Sequence, residues 1–590
     1  MKKDNERSDK IDSKKALENT SKLDNKESLE TIRHSCSHVL ADAIKTLYPE
    51  VKLAIGPSID DGFYYDFDNL KITEQDLEKI EKEMQKIIDK NLPFKKTSKT
   101  KAEAKKTLKD EPYKLELLEE IDKPTFYQHG NFIDLCAGPH VKNTNEIKAF
   151  KLLKIAGAYW KGDSKNKMLT RIYGTAFSSK QELDDFLKLQ EEAEKRNHIK
   201  LGKQLELFSF HSEAPGFPFF HPKGSIIWNE IENYWRSVHQ KYNYLEVKTP
   251  LILKKDLWLK SGHWDHYKEN MYFTQIDKQD FAIKPMNCPG GILIYKEKLH
   301  SYKEFPLKVA ELGLVHRHEL SGVLNGLFRV RKFTQDDAHI YCLESQLKDQ
   351  IKEVITIIQE MYSTFGFKEY HIELSTKPKE HIGSEEMWKK AEHVLELVLK
   401  ESKLDYKLNK GDGAFYGPKI DFHITDSLKR TWQCGTIQLD FAMPEKFDLE
   451  YDGEDGKRHR PVMVHRTVLG SFERFIGILT EHYAGKFPLW LSPIQVIILN
   501  INSKNIDYAK QVLEELKANN IRTELDDRTE SISKKVRDAQ VRNINYMVTV
   551  GDKEQENKTL AIRTLDGKVN FNVKISDFIK ELKENIEKKC

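Results

Sequence analysis

Two short segments in the first quarter of the chain carry side chains that could bind a metal ion or activate water. His34 and His38 lie four residues apart, so a helix would place both imidazoles on one face. The segment DLCAGPH adds Asp134, Cys136 and His140. This set could hold zinc tetrahedrally, or it could form a metal-free pocket that positions water against an ester. A purely structural role, with histidines that cap a helix and are satisfied in a core, is the alternative.

A second group of reactive side chains surrounds a predicted hairpin in the middle of the chain. The segment VHRHE is followed, after a loop that contains glycine, by RVRKFTQDDAHIY. An arginine fork matches phosphate oxygens through two hydrogen bonds, and a glutamate accepts hydrogen bonds from an exocyclic amine. Arg317, Glu319 and Arg329 would therefore suit ATP. A surface strand with ion pairs is the alternative, because short charged strings recur by chance.

A third feature, further along the chain, also favours a nucleotide. The segment VLGSFERFIGILTEHY turns from a strand through a glycine into a helix, and Arg474 lies near the first turn of that helix. A helix N-terminus and an arginine both attract phosphate. The hairpin and this helix together predict a nucleotide site.

The elements that must position these side chains begin with two contrasting segments. Residues 1–30 contain no aromatic residue, and we predict a disordered charged tail because this segment cannot bury enough apolar surface. Residues 31–179 are predicted to form a compact α+β domain. Its elements include helices at His34–Leu47 and Glu74–Asp89 and the aromatic strand FYYDF.

The rest of the chain divides into three further segments. Residues 180–204 have the pattern of one long charged helix that acts as a linker. Residues 205–488 contain many β-rich runs punctuated by glycine and proline, which predicts an antiparallel sheet flanked by helices. In residues 489–590 strands and helices alternate, which predicts a small α/β domain with a mainly parallel sheet. The predicted fold class is α+β with several domains, as expected for 590 residues.

Composition excludes some classes of protein and leaves others open. The chain has 39% hydrophobic and 32% charged residues, and no apolar run is long enough to cross a bilayer, so we expect no membrane partner. The first residues lack the apolar stretch of a secretory signal, and the six cysteines are scattered, which favours a cytoplasmic location. A formal net charge of +3 permits an RNA partner but does not require one.

The motifs resemble those of a known family. HRHE, RVRKFTQDDAH and GSFER are similar to motifs two and three of class II aminoacyl-tRNA synthetases, and the segment from HPKG to VKTP is similar to motif one. The resemblance implies an antiparallel catalytic sheet, ATP bound with Mg²⁺, and a homodimer formed through motif one. The segments KPMNCPG, DDAHIYC and VMVHRT resemble the zinc site of bacterial-type threonyl-tRNA synthetases.

This narrower resemblance implies one zinc ion per subunit, held by Cys288, His339 and His465. Three protein ligands leave a fourth position open for a substrate. A site that ligates the amine and hydroxyl of L-threonine rejects valine, but serine keeps both groups, and losing one methyl costs only about 1 to 3 kcal/mol. A second, hydrolytic site that edits seryl-tRNA(Thr) is therefore expected, beside the ATP-dependent joining of threonine to tRNA(Thr).

The resemblance also assigns residues to each site. The residues that it implies for catalysis and ATP binding are Arg317, Glu319, Arg329, Gln335, Arg474 and His263. The threonine and adenylate pocket would contain Met286, Asp337, Tyr416, Lys419, Gln433 and Gln438. The domain at 31–179 is similar to a metal-free editing domain, with His34, His38, Tyr65, Lys114, Asp134, Cys136 and His140. The domain at 489–590 is similar to an anticodon-binding domain, with contacts expected at Asn502, Glu554 and Arg563.

Some alternatives and departures from the family pattern remain. His263 could relay a proton from the tRNA hydroxyl or could only position the substrate. The ubiquitin-like N-terminal domain common in the family is absent from this sequence, CPGG stands where CPGH is usual, and Ala137 stands where a basic residue is often found. Rival interpretations are another class II synthetase, such as prolyl or seryl, an RNA-binding paralogue without the reaction, and a zinc hydrolase built around His34 and His38.

Overall fold

The computed structural model describes residues 28–163 and 165–589, and the chain divides between residues 191 and 192 into two compact units, which are described separately. The predicted tail lies outside the described residues except for residues 28–30. These three residues belong to the first helix instead, because the apolar sequence of that helix already begins at Leu29, which is half-buried.

The first unit contains the predicted α+β domain, which confirms this part of the fold class. Its strands are β1 (Lys52–Leu53), β2 (Ser58–Ile59), β3 (Gly62–Asp68), β4 (Lys95–Ser98), β5 (Thr125–His129), β6 (Phe132–Leu135), β7 (Ala149–Tyr159) and β8 (Met168–Phe177). Its helices are α1 (residues 28–47), α2 (Leu77–Asp89), α3 (Lys101–Thr107) and α4 (Pro112–Glu119). Strands β1, β3, β8 and β7 pair in that order, and β4, β5 and β6 form a second sheet. Val39 and Leu40 of α1 share a core with Phe63 and Phe67 of β3, so the opposite side of α1 is left for its histidines.

The predicted linker is two helices rather than one, α5 (Lys180–Lys195) and α6 (His198–Gln204). The break occurs because the side-chain oxygen of Asn197 accepts hydrogen bonds from the backbone N–H groups of Ile199 and Lys200, at 2.9 and 3.3 Å, and so starts a new helix. His198 is buried, and its Nδ1 lies 2.6 Å from Glu481 Oε1. Helix α6 is therefore packed into the second unit, and the prediction of one continuous helix was wrong.

The second unit is built around the predicted antiparallel sheet. The strands in this part of the chain are β9 (Phe208–Ser209), β10 (Phe219–Phe220), β11 (Leu245–Glu246), β12 (Ile252–Lys254), β13 (Tyr272–Ile276), β14 (Gln279–Ile283), β15 (His300–Ser301), β16 (Leu307–His316), β17 (Lys332–Cys342), β18 (Tyr370–Ser375), β19 (Tyr406–Asn409), β20 (Lys419–Thr425), β21 (Thr431–Asp440), β22 (Tyr451–Asp452), β23 (Arg458–His459) and β24 (Val462–Ser471). The helices are α7 (Pro222–Lys241), α8 (Lys255–Ser261), α9 (His263–Tyr267), α10 (Cys288–Tyr295), α11 (Leu347–Thr364), α12 (Glu385–Glu401), α13 (Ala442–Lys446) and α14 (Phe472–His482).

Eight of these strands form one sheet, in the order β11, β16, β17, β24, β21, β20, β18, β19. All neighbours are antiparallel except the pair at each edge. Because side chains alternate between the two faces of a strand, Ala338 and Ile340 of β17 face a core that includes Ile351 and Val354 of α11. The alternate residues of β17, such as His339, point to the opposite face of the sheet, so that face is available for a site.

The C-terminal part of the second unit is the predicted α/β domain. Its strands are β25 (Val496–Asn500), β26 (Thr523–Asp526), β27 (Tyr546–Val550), β28 (Thr559–Thr564) and β29 (Val569–Lys574), and its helices are α15 (Ile506–Ala518), α16 (Ile532–Val541), α17 (Asp552–Asn557) and α18 (Ile575–Glu587). Strands β26, β25 and β27 are parallel as predicted, whereas β28 and β29 add two antiparallel pairings that the sequence pattern did not reveal. Throughout the described residues, no helix combines the length and the apolar character needed to cross a membrane.

Candidate functional site

The three predicted zinc ligands come together on the free face of the eight-stranded sheet. His339 of β17 and His465 of β24 are direct cross-strand partners, and Cys288 is the first residue of α10. Their ligand atoms all lie within 4.8 Å of one another, and all three residues are buried. The fold therefore groups three side chains that are far apart in sequence.

The surroundings of this cluster fit a metal ion. His339 Nε2 is buried and has no hydrogen-bond partner, which is costly unless a ligand occupies it. His465 Nε2 lies 2.9 Å from Asp440 Oδ2, the carboxylate contact that orients a metal-binding imidazole. Burial lowers the pKa of His339 and raises that of Cys288, so the imidazole is neutral, and a cation would have to displace the thiol proton. One thiolate and two imidazoles suit zinc.

A cavity opens directly beside this cluster. It contains most of the predicted threonine and adenylate residues, and its lining includes Met286, Cys288, Arg317, Gln335, Asp337, Tyr416, Gln438 and His465. The Tyr416 hydroxyl donates a hydrogen bond to Gln438 Oε1, and Asn287 Nδ2 donates one to Asp337 Oδ2 at 3.1 Å. Hydrogen bonds thus hold Tyr416, Gln438 and Asp337 of the cavity wall in place.

A second cavity adjoins the first and contains the residues predicted to bind ATP. Its lining includes Arg317, Glu319, Arg329, Gln335, Gln433 and Arg474. The predicted hairpin is formed by β16 and β17, and Glu319 Oε2 lies 3.0 Å from Arg329 Nε at its mouth. The Arg474 backbone N–H donates a hydrogen bond to Ser471 Oγ at 3.0 Å, so Arg474 lies in the first turn of α14. Arg317 and Gln335 line both cavities, which therefore form one continuous site.

Two predicted residues lie just behind these walls. His263 is buried, with Nε2 2.8 Å from Met286 Sδ and Nδ1 2.7 Å from Ser261 Oγ, and it lines neither cavity. Lys419 Nζ lies 2.7 Å from Asp421 Oδ2. The other oxygen of that carboxylate accepts a hydrogen bond from Gln433 Nε2 at 2.7 Å. His263 therefore contacts a cavity residue, Met286, and Lys419 is connected to the cavity residue Gln433 through the carboxylate of Asp421.

Sequence reasoning missed two residues that line both cavities, Thr436 and Thr467. Thr436 lies two positions before the predicted Gln438 on β21, and Thr467 lies two positions after His465 on β24. The strand period of two would have assigned both to the same face as their predicted neighbours. The signal was therefore present, once β21 and β24 were known to be adjacent strands.

In the first unit, the predicted editing residues also come together. His34 and His38 on α1, together with Cys136 and His140 after β6, place their ligand atoms within 4.8 Å of one another. Cys136 Sγ lies 3.4 Å from His34 Nε2 and 3.3 Å from His140 Nε2. Burial raises the pKa of Cys136 to about 11 and lowers that of His140, so both side chains are neutral at pH 7. The cluster brings three imidazoles and a thiol into one pocket.

A buried ion pair between two further predicted editing residues, Lys114 and Asp134, lies beside this cluster. Lys114 Nζ lies 2.7 Å from Asp134 Oδ1 and 2.9 Å from Oδ2, and the Tyr65 hydroxyl donates a hydrogen bond to Oδ2 at 2.7 Å. His38 Nδ1 lies 4.0 Å from the same carboxylate oxygen and has no hydrogen-bond partner. Asp134 is thus the centre of a network that fixes the lysine, the tyrosine and the orientation of the pocket.

The three predicted anticodon residues lie in the C-terminal domain, and each has a local contact. The Asn502 side chain caps a short turn by accepting a hydrogen bond from the Lys504 backbone N–H at 2.9 Å. Glu554 accepts one from the Gly551 N–H at 3.0 Å, and Arg563 Nη1 donates one to the Gly567 carbonyl at 3.2 Å. These bonds explain the residue types at Asn502 and Glu554 without any RNA.

Comparison with known proteins identifies the class of the fold and site. Residues 271–483 match the model of the tRNA synthetase class II core domain (G, H, P, S and T). Residues 495–585 match an anticodon binding domain, and residues 125–173 match the second additional domain of threonyl and alanyl tRNA synthetases. The antiparallel sheet with its two cavities is thus the core of a class II aminoacyl-tRNA synthetase.

Full-length relatives narrow the class to one family. The threonine–tRNA ligases of Clostridium novyi and Clostridium tetani are both 57% identical to this chain over 95% of its length, and the alignments cover 89% and 88% of those proteins. A crystal structure of the RNA binding domain of threonyl-tRNA synthetase from Cryptosporidium parvum matches with 41% identity and a TM-score of 0.64, covering 66% of this chain and 98% of that one. The chain belongs to the threonine–tRNA ligase family, of the bacterial type.

Proposed function

We propose that this chain activates L-threonine with ATP and then transfers the threonyl group to tRNA(Thr). In the first step a threonine carboxylate oxygen attacks the α-phosphorus of ATP, and pyrophosphate leaves. In the second step a hydroxyl of the terminal ribose attacks the carbonyl carbon and loses its proton, and AMP leaves. The observation that carries the proposal is the shared wall of the two cavities, which would hold the amino acid and the nucleotide side by side.

The arginines of the site have distinct tasks in this mechanism. Arg317 lines both cavities, so it can contact the α-phosphate, where negative charge develops. Arg474 would bind the outer phosphates, helped by the N-terminus of α14. Glu319 would accept a hydrogen bond from the adenine amine, and Arg329 would be drawn from Glu319 to a phosphate when ATP and Mg²⁺ enter. The site thus supplies positioning and charge stabilisation.

Threonine would be recognised at the cluster of Cys288, His339 and His465. Zinc held by these three residues would supply a Lewis acid for the threonine amine and hydroxyl. Asp337 lies beside the cluster in the same cavity and offers a carboxylate to the amine or hydroxyl. We propose that His263 positions the substrate through Met286, because its Nε2 contacts the thioether of Met286 and not the cavity.

Pyrophosphate exchange tests this assignment. Purified and dialysed wild-type protein is expected to retain one zinc per chain and to exchange pyrophosphate into ATP with threonine but not with valine. Cys288→Ser should lose both the zinc and the exchange. Cys342→Ser is the matched control, because Cys342 is also buried on the same sheet but lies outside the cluster. Full threonine-dependent exchange by zinc-free Cys288→Ser would remove the metal from the proposal.

We also propose that the first unit hydrolyses seryl-tRNA(Thr), because the synthetic site cannot reject serine well. We infer that this site works without a metal ion. His34 Nδ1 lies 3.1 Å from the Pro139 carbonyl and His140 Nδ1 lies 3.1 Å from Ser35 Oγ, which orients both rings so that their Nε2 atoms contact Cys136. These contacts suit a metal-bound and a metal-free pocket alike, so the metal-free form rests on the resemblance of this domain to a metal-free editing domain. Lys114 and the imidazoles would then position water against the ester carbonyl. Zinc retained by Cys288→Ser and lost on adding Cys136→Ser would contradict the metal-free form.

The remaining assignments concern partners and organisation. We propose the predicted domains with two boundaries adjusted to the fold: the first domain is 28–179, the catalytic domain begins with α6 at residue 198 and ends at 488, and the last domain is 489–590. We propose anticodon contacts at Asn502, Glu554 and Arg563 in the last domain. We propose a cytoplasmic location, supported by the free thiols of all cysteines in the described part of the chain. Weaker tRNA binding with unchanged pyrophosphate exchange in an Arg563→Ala variant would support the anticodon assignment.

We propose a homodimer formed through the motif-one segment. Its helix α7 is preceded by Phe219, which is 46% exposed, and followed by Leu245 on the edge strand β11, which is 60% exposed. Exposed apolar side chains beside an unpaired strand edge are typical of an interface. Leu245→Glu should give a monomer in analytical ultracentrifugation, whereas Leu408→Glu, at the other edge of the sheet, should remain a dimer.

A further inference from the structure

A further group of side chains that could bind a metal ion lies on the eight-stranded sheet of the second unit, close to the edge formed by β19. His371 and Glu373 are on β18, and His423 is on β20. His371 and His423 are direct cross-strand partners, and Glu373 follows two residues later on the same face. The ligand atoms of the three side chains lie within 4.8 Å of one another. None of them lines the cavities of the synthetic site.

The three side chains converge without satisfying one another. His371 Nε2 lies 3.8 Å from Glu373 Oε1, and His423 Nε2 lies 3.8 Å from Glu373 Oε2. Both separations exceed the range of a hydrogen bond. The imidazole planes are within 9° of parallel, with ring centroids 4.5 Å apart. A small ion between the two nitrogens and the carboxylate would be within reach of all three groups.

Two independent observations point to a ligand at this place. His423 Nε2 is buried and has no hydrogen-bond partner, and such a nitrogen is costly unless something occupies its lone pair. Asn409 Nδ2 donates a hydrogen bond to Glu373 Oε2 at 3.0 Å, which orients the carboxylate.

We propose that His371, Glu373 and His423 form a second metal site in the second unit, for a divalent transition-metal ion such as zinc. Two imidazoles and one carboxylate are a donor set that zinc accepts, whereas Mg²⁺ and Ca²⁺ require oxygen ligands. Three protein ligands leave a position for water. The ion would link β18 to β20 across the sheet.

The charges around the group define how tightly the ion is held. Asp421, the cross-strand neighbour of Glu373, is engaged by Lys419 at 2.7 Å and by Gln433, so it is not available as a fourth ligand. Lys407 is the partner of Glu373 on β19 and opposes a cation there. The His371 side chain is 45% exposed. We therefore expect an exchangeable ion, which dialysis removes and added zinc restores.

Zinc titration of the full chain tests the proposal. Dialysed wild-type protein should bind one further equivalent of Zn²⁺ in isothermal titration calorimetry, beyond the ion retained after dialysis. The double variant His371→Gln with His423→Gln should lose that equivalent, and Glu373→Gln should bind it at least 10-fold more weakly. His393→Gln, an exposed histidine on α12, is the control and should behave as wild type. Uptake by the double variant equal to that of wild type would overturn the site.

A second measurement covers the case in which the double variant does not fold. Crystals of the wild-type chain saturated with zinc should show an anomalous difference peak between His371, Glu373 and His423 at the zinc absorption edge. The peak at Cys288 serves as the internal reference for occupancy. A reference peak without any peak between the two imidazoles would refute the proposal, whatever the titration shows.

Discussion

Replacing Lys114 by methionine separates the structural and chemical roles of the editing pocket. The Lys114 and Asp134 side chains are only 5% and 2% exposed, and the ammonium lies within 2.9 Å of both carboxylate oxygens. Methionine has a similar length but no charge, so Asp134 would keep only the hydrogen bond from Tyr65. Leaving one buried charge unpaired costs about 3 to 5 kcal/mol of folding free energy.

Adding Asp134→Asn to this variant removes the unpaired charge. The double variant Lys114→Met with Asp134→Asn should therefore regain most of the lost stability, because a buried pair replaced on both sides is often close to neutral. Seryl-tRNA hydrolysis should stay low in both variants, since the ammonium that would face the ester is absent from each. Stability and editing thus change independently in this comparison.

Hydrogen exchange and deacylation measure the two effects. Mass spectrometry of peptides from residues 28–163 gives the local opening free energy, and deacylation of seryl-tRNA(Thr) gives the editing rate. Threonine-dependent pyrophosphate exchange is the control and should be unchanged, because these residues belong to the other unit. Equal destabilisation of the single and double variants would refute the role of the buried pair. Recovery of editing in the double variant would show that Lys114 acts only by neutralising Asp134.

Three further predictions concern the synthetic site. Asp440→Asn should weaken zinc binding by about 10- to 100-fold, measured by competition with a chelator, because the amide no longer fixes His465 as the carboxylate does. Arg474→Ala should lower kcat/KM for ATP on the order of 10²-fold in pyrophosphate exchange, and an unchanged value would place the outer phosphates elsewhere. Burial raises the pKa of Glu473 to about 7 from its usual 4.5, so the native state holds a proton that the unfolded chain releases. Stability should therefore fall by about 3 kcal/mol as the pH rises from about 4.5 to about 7, and chemical unfolding of Glu473→Gln should lack this decline.

Local patterns predicted the elements, and the family resemblance grouped the residues between them. The hairpin of β16 and β17 follows from alternation and glycine punctuation, and both strands form as expected. The grouping of Cys288 with His339 and His465 could not come from spacing, because it depends on which strands become neighbours. Thr436 and Thr467 were missed for the same reason. Strand order is a property of the whole core, which no short window of sequence contains.

Errors at the ends of elements have a different physical origin. The spacing of apolar residues over 180–204 fits one continuous helix. Apolar spacing alone does not show that a residue inside this stretch can cap a new helix. The side chain of Asn197 competes for backbone N–H groups and begins α6. In the C-terminal domain, β28 and β29 are joined by a turn that contains Asp566 and Gly567, a hairpin signal that the prediction of a mainly parallel sheet did not use.

The eight-stranded sheet contains two cross-strand pairs of histidines, and the same pairing geometry gives two kinds of proposed metal site. His339 and His465, like His371 and His423, are direct partners on antiparallel strands, where opposite side chains lie close enough to share an ion. In the first pair a cysteine from α10 completes a buried set, and burial slows both loss of the ion and competition from water. In the second pair the third ligand is a glutamate two residues along one strand, near the sheet edge. The first site should therefore keep its ion through dialysis, while the second should follow the free zinc concentration.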